Sequence, residues 1–148
     1  MTYSPSFFNK ESKGSSRQTI TNFQNGSGST LDKATLVSVN TSSQLVPTSV
    51  SSETLVQAIV GMTNISIPNA ATGSVADFGR LEDITTSFAV GDAVYLNKDG
   101  TLTNTKPQIG INSFTDGDFV IFIGVVVKNE FNVSLKDLKL MISVIGQL

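Results

Sequence analysis

The sequence predicts an all-β protein, a compact β-hairpin or β-barrel-like body with a weak two-fold internal repeat and an extended N-terminal arm. Three observations in the second half of the chain carry this. Two Gly-Asp pairs, Gly91-Asp92 and Gly117-Asp118, are each followed directly by an apolar run, the pattern of a turn that launches a strand. Asn97-Lys98-Asp99-Gly100 separates Val94-Tyr95-Leu96 from Thr101-Leu102-Thr103, with Asn at the first turn position and Gly at the fourth, where a left-handed residue closes a type I hairpin. The run from Phe119 to Val127, broken by Gly124, is about half of the roughly 20 residues a membrane-spanning helix needs, so it is a core strand.

The remaining elements follow the same logic. Residues 1–30 are dominated by Ser, Thr, Asn, Gln and Gly, and Gly26-Ser27-Gly28-Ser29 closes them like a flexible joint. Their few apolar residues are large. Phe7, Phe8 and Phe23 are therefore the expected partner-binding residues, with folding of Phe7 and Phe8 onto their own core as the alternative. Leu36 to Val39 is strand-like, Asn40 to Ser43 turns the chain, and Gln44-Leu45-Val46 returns before Pro47 ends pairing. Ser51 to Gly61 is open to a short helix at Glu53, but its Val and Ile content and Gly61 favour a strand. Ile65 and Ile67 alternate, Pro68 to Gly73 is a loop, and Val75 to Phe78 is a short strand ending at Gly79. Leu138, Leu140, Ile142 and Val144 line one apolar face of a last strand.

Placed against each other, the halves align weakly: Asn40 and Leu45 with Asn97 and Leu102, Gly61 with Gly124, and Gly79 and Leu81 with Gly146 and Leu148. The order is kept while the offset grows. This divides the body into a first β unit over 31–87 and a second over 88–148, two units being too few for a solenoid.

Composition excludes several chemistries. Ten Lys and Arg against twelve Asp and Glu provide no basic footprint for nucleic acid. The chain has no Cys and no His, so it lacks a thiolate nucleophile, a sulfur-based zinc site and the side chain best suited to proton transfer near neutral pH. Glu82-Asp83 is an adjacent acidic pair whose members point to opposite faces of a strand. Asp116-Gly117-Asp118 lacks the ligand spacing of a calcium loop and is better explained as a turn. No Gly-x-Ser-x-Gly elbow is present. Neither enzymatic activity nor a cofactor is expected, and the start of the chain lacks the pattern of a secretory signal, which points to synthesis in the cytoplasm.

The motifs Gly91-Asp92-x-Val94-Tyr95-Leu96, Asp99-Gly100-x-Leu102-Thr103, Gly124-Val125-Val126-Val127 and Ile145-Gly146-Gln147-Leu148 together resemble small β-rich virion proteins of tailed bacteriophages, the head-decoration, capsid-fibre and fibre-base proteins. The resemblance covers Gly28 to Leu148. It implies a non-enzymatic homotrimer that is assembled in the host cytoplasm and resides in the virion. The implied partners are copies of itself and the major capsid protein or another virion protein, without nucleic acid or membrane. No functional residue is carried over. An adhesion or carbohydrate-binding module of an appendage is the alternative, weakened by the absence of Trp and by only two Tyr on which a sugar could stack.

Overall fold

The computed structural model describes residues 20–148; Phe7 and Phe8 lie outside the described residues. The chain runs through β1 (Ile20–Gln24), β2 (Leu36–Val39), β3 (Leu45–Pro47), α1 (Glu53–Gln57), β4 (Ile59–Thr63), β5 (Thr72–Ala76), β6 (Phe78–Ile84), β7 (Ala93–Leu96), β8 (Leu102–Thr103), β9 (Phe119–Lys128) and β10 (Lys136–Gln147). These strands form two antiparallel five-stranded sheets rather than a closed barrel, in the orders β1-β5-β4-β2-β3 and β6-β10-β9-β7-β8.

The two orders are the same topology written twice, each sheet placing its first strand beside its fifth and its second beside its third and fourth. The correspondence extends to single hydrogen bonds. In the β2–β3 turn Asn40 N donates to Gln44 O at 2.9 Å and Ser43 N to Asn40 O at 3.0 Å; in the β7–β8 turn Asn97 N donates to Thr101 O at 2.7 Å and Gly100 N to Asn97 O at 3.0 Å. Ser43 (φ 59°) and Gly100 (φ 91°) both take the left-handed conformation that closes the hairpin. At the strand entries Ala34 N donates to Thr63 O and Gly91 N to Val126 O, at 2.9 and 2.8 Å. Val37 pairs with Gly61 and Val94 with Gly124, and in both sheets a register shift follows immediately. Both glycines sit where a Cβ would overlap a carbonyl oxygen of the neighbouring strand, Ala76 for Gly61 and Lys139 for Gly124.

Two of the three sequence alignments therefore mark equivalent positions. The third, Gly79 and Leu81 with Gly146 and Leu148, does not. Gly79 lies in β6, whose counterpart is β1, whereas Gly146 lies in β10, whose counterpart is β5. The unit boundaries move accordingly: the strands of the first sheet span 20–76 and those of the second 78–147, with the division at Asp77 instead of after residue 87.

The expected arm over 1–30 is shortened by the same finding. β1 pairs in register with β5 from Ile20↔Ala76 to Gln24↔Thr72. Residues 25–29 form a closed hydrogen-bonded turn in place of a flexible joint. Asn25, buried, accepts at Oδ1 from Ser27 N at 2.9 Å and Ser27 Oγ at 2.7 Å, and its Nδ2 donates to Ser29 O and Ile67 O at 2.8 and 2.9 Å. A Gly-Ser composition suggests flexibility only when no buried side chain organises it.

The strand favoured over Ser51 to Gly61 is also corrected. Ser52 Oγ accepts from Leu55 N at 3.2 Å, capping the short helix α1, and β4 begins only at Ile59. Val56 on α1 is buried in the core, so the cap and one apolar anchor outweigh β propensity over these five residues.

The two sheets share one core. Leu36, Met62 and Ala76 of the first meet Leu81, Val94, Leu96, Ile121, Ile123, Leu138 and Leu140 of the second, together with Val50, Val56 and Phe114 from connections. The other face of the first sheet is covered by its own loops, where Leu31 and Ile67 pack on Val37, Leu45 and Val75. On the outer face of the second sheet Tyr95 and Phe122 meet edge to face, with ring centroids 5.7 Å apart.

The second Gly-Asp turn is held by an ion pair between a buried carboxylate and a partly exposed ammonium. Lys98 Nζ lies 2.5 Å from Asp118 Oδ2, which also accepts from Thr115 N at 2.9 Å. Burial raises the Asp118 carboxyl, but the Lys98 ammonium and the Thr115 N–H outweigh it and hold the group below its ordinary 3.8. The unfolded chain therefore binds this proton more readily, so the stability it contributes is complete above the ordinary carboxylate value and is lost as pH falls through the folded one. Asp118→Asn is expected to flatten the acid limb of the urea-midpoint profile, and a limb as steep as that of the native protein overturns this assignment.

Candidate interaction surface

The loop joining β9 to β10 presents two apolar side chains fully to solvent: Phe131 is 97% exposed and Val133 90%. Exposure of this degree on a large aromatic is the informative observation on a surface, since scattered half-exposed residues are ordinary. The loop is firmly held. Asn129, itself buried, accepts at Oδ1 from the backbone N–H groups of Phe131 and Asn132 at 2.9 and 2.8 Å. Asn132 Oδ1 accepts from Ser134 N at 2.9 Å, and its carbonyl from Leu135 N at 3.1 Å.

Below the loop is a polar anchor. Asn129 Nδ2 donates to Asp83 Oδ1 at 2.8 Å and to Asp137 Oδ1 at 2.9 Å. Asp137 also accepts from Asp83 N at 3.1 Å and from Arg80 Nε at 2.8 Å, and Arg80 Nη2 donates to Lys128 O at 2.9 Å. The carboxylates of Asp83 and Asp137 thus hold a loop. Glu82 and Asp83 do not act as a pair: Asp83 takes a left-handed φ of 63°, and its side chain is engaged by Asn129.

The same two aspartates line a cavity of about 460 Å³. Its apolar part is made by Ile84, Phe88 and Leu102 over the buried Val94 and Leu138, and Lys33 and Lys136 also line it. A second depression, of about 580 Å³, lies where β10 outruns β6. β6 pairs with β10 only as far as Phe78↔Met141, whereas β9 continues to Phe119↔Gln147. The distal half of β10 therefore has one unpaired edge among the described strands, with Val144 and Ile145 about half exposed. Two register shifts there break its regularity, which limits uncontrolled pairing of an open edge.

Of the residues expected to bind a partner, only Phe23 is described. It is partly buried and packs on the Leu31–Ile67 cluster of its own first sheet, so it belongs to the body. Asp118 is committed to Lys98, and Asp116 is exposed. No group of three or more metal-ligating side chains occurs among the described residues, and no helix among them is long and apolar enough to cross a membrane. Phe131 and Val133 escaped the sequence reading, although a signal was present: Asn129-Glu130-Phe131-Asn132-Val133 places large apolar residues between loop-forming asparagines, where no strand face can bury them.

The fold and surface define a two-sheet β protein with a rigidly presented apolar loop. No protein-family model matches the chain, and no curated protein matches it.

Proposed function

We propose that the chain is a structural virion protein of a tailed bacteriophage, a non-enzymatic homo-oligomer that decorates the capsid or forms the base of a head or tail fibre. The observation that carries this reading is the β9–β10 loop, where a buried hydrogen-bond network holds Phe131 and Val133 out in water. Such a loop bears its exposed apolar surface in advance of binding, and a pre-formed contact loses little entropy on association. The resemblance of Gly91-Asp92-x-Val94-Tyr95, the Asp99-Gly100 hairpin and Gly124-Val125-Val126-Val127 to phage decoration and fibre-base proteins supplies the setting. The partners in this reading are further copies of the chain, as a homotrimer, and the major capsid protein or another virion protein reached through Phe7 and Phe8.

The test is incorporation. Two Phe side chains buried at an interface stabilise it by roughly 1.5–3 kcal/mol each, and three arms on one oligomer multiply a modest contact. Phe7→Ser combined with Phe8→Ser is expected to lower the copies per purified virion at least about tenfold, as counted by quantitative mass spectrometry. The native protein's absence from virions sinks the whole reading; unchanged incorporation of the double variant removes only the role of the arm.

A further inference from the structure

We propose that Phe131 and Val133 of one chain insert into the Ile84–Phe88–Leu102 cavity of a second copy, closing a cyclic homo-oligomer. This rests on the self-association in the reading above and not on its virion setting. The plug does not use the cavity of its own chain, since Phe131 is 97% exposed although its loop and that cavity share Asp83 and Asp137. Plug and receptor are therefore adjacent on one molecule but unsatisfied within it. Adjacent, different patches close an oligomer either by reciprocal exchange between two copies or in series around a ring. A cavity of about 460 Å³ with Ile84, Phe88 and Leu102 only partly buried has room for an aromatic side chain and gains apolar contact from it.

Charge selects a second copy as the occupant. Glu130, exposed, precedes the plug, whereas Lys33 and Lys136 line the cavity without a carboxylate partner among the described residues. Lys33 donates only to the carbonyls of Glu82 and Asp83, at 2.5 and 3.4 Å. Of the two carboxylates at the cavity, Asp137 is already neutralised by Arg80, so the rim is net positive toward an approaching Glu130.

Sedimentation velocity of the purified full-length chain tests this. The native protein is expected to run as a closed oligomer at micromolar concentration. Phe131→Ser with Val133→Ser is expected to weaken association at least about a hundredfold, in line with the loss of two interface anchors. Thr85→Trp, which fills the exposed rim of the cavity, is expected to do the same. Thr85, Glu130, Phe131 and Val133 are exposed and Lys136 is half-buried, so every variant is expected to keep one cooperative transition; its midpoint falls only by what association contributed and no longer depends on protein concentration, which separates lost association from lost folding. Glu130→Lys weakens the oligomer and Lys136→Glu added to it restores part of the loss. A single-chain mass for the native protein overturns the proposal and leaves Phe131 to a different protein. Oligomers that survive both the plug and the cavity variants overturn it too, and a charge reversal without rescue overturns the placement of Glu130 at the cavity. Virion incorporation by a chain that does not self-associate removes this inference and leaves the virion reading standing.

Discussion

A chain lacking residues 1–27 is expected to lose its cooperative melting transition, with a chain lacking only residues 1–19, in which β1 is intact, as the reference. The longer deletion removes β1 from the edge of β5, strips Phe23 from the Leu31–Ile67 cluster and takes away Asn25. Asn25 ties together two loops: its N–H donates to Ala71 O at 2.8 Å, its carbonyl accepts from Ala70 N at 3.1 Å, and its side chain reaches Ser29, Ile67 and Pro68. Each buried group left without a partner costs about 1–3 kcal/mol. Several such losses, added to the uncovered apolar surface, approach the whole stability of a domain, about 5–15 kcal/mol. Circular dichroism melts of the two truncations decide the point. A cooperative transition near that of the reference for the longer truncation contradicts the place of β1 in the sheet.

Gly124→Ala is expected to cost about 3 kcal/mol, the upper part of the roughly 1–3 kcal/mol range for overpacking, and to lower the melting temperature by about 10 °C. The new Cβ would overlap the Lys139 carbonyl oxygen and crowd the Leu140 backbone, and neither belongs to a flexible side chain that swings aside. Relief requires β9 and β10 to part at the centre of the second sheet, where they pair along nearly their full length. Gly61→Ala should behave alike in the first sheet, with added strain because Gly61 has a φ of 143° and its Cβ would overlap the Ala76 carbonyl oxygen. By contrast Gly100→Asn, at a left-handed turn position with open space around it, should cost under about 1 kcal/mol. Urea-unfolding midpoints for the three variants provide the check. A Gly124 variant as stable as the Gly100 variant would show that β9 and β10 are not tightly apposed at this point.

The all-β class, the Asn97–Gly100 hairpin and the long core strand were legible in the sequence because each rests on local rules, and the equivalence of Gly61 and Gly124 because the two halves keep the same order of turns and glycines. Turn residues report the backbone conformation that they alone adopt cheaply, and alternation reports which face is buried. Local rules failed where a distant group intervened. Gly26-Ser27-Gly28-Ser29 has the composition of a joint, but Asn25 anchored on the carbonyl of Ile67 makes it a fixed turn. Ser51 to Gly61 has the Val and Ile content of a strand, but the Ser52 cap and the core around Val56 make Glu53–Gln57 a helix. The division of the chain at Asp77, the identity of the two sheet topologies and the isolation of Phe131 above its own cavity appear only in three dimensions. By itself the sequence determined what each short stretch prefers. The tertiary structure alone decided which strands are neighbours beyond the two tight hairpins, since pairing between residues tens of positions apart depends on the shared core and carries no signature in either strand taken singly.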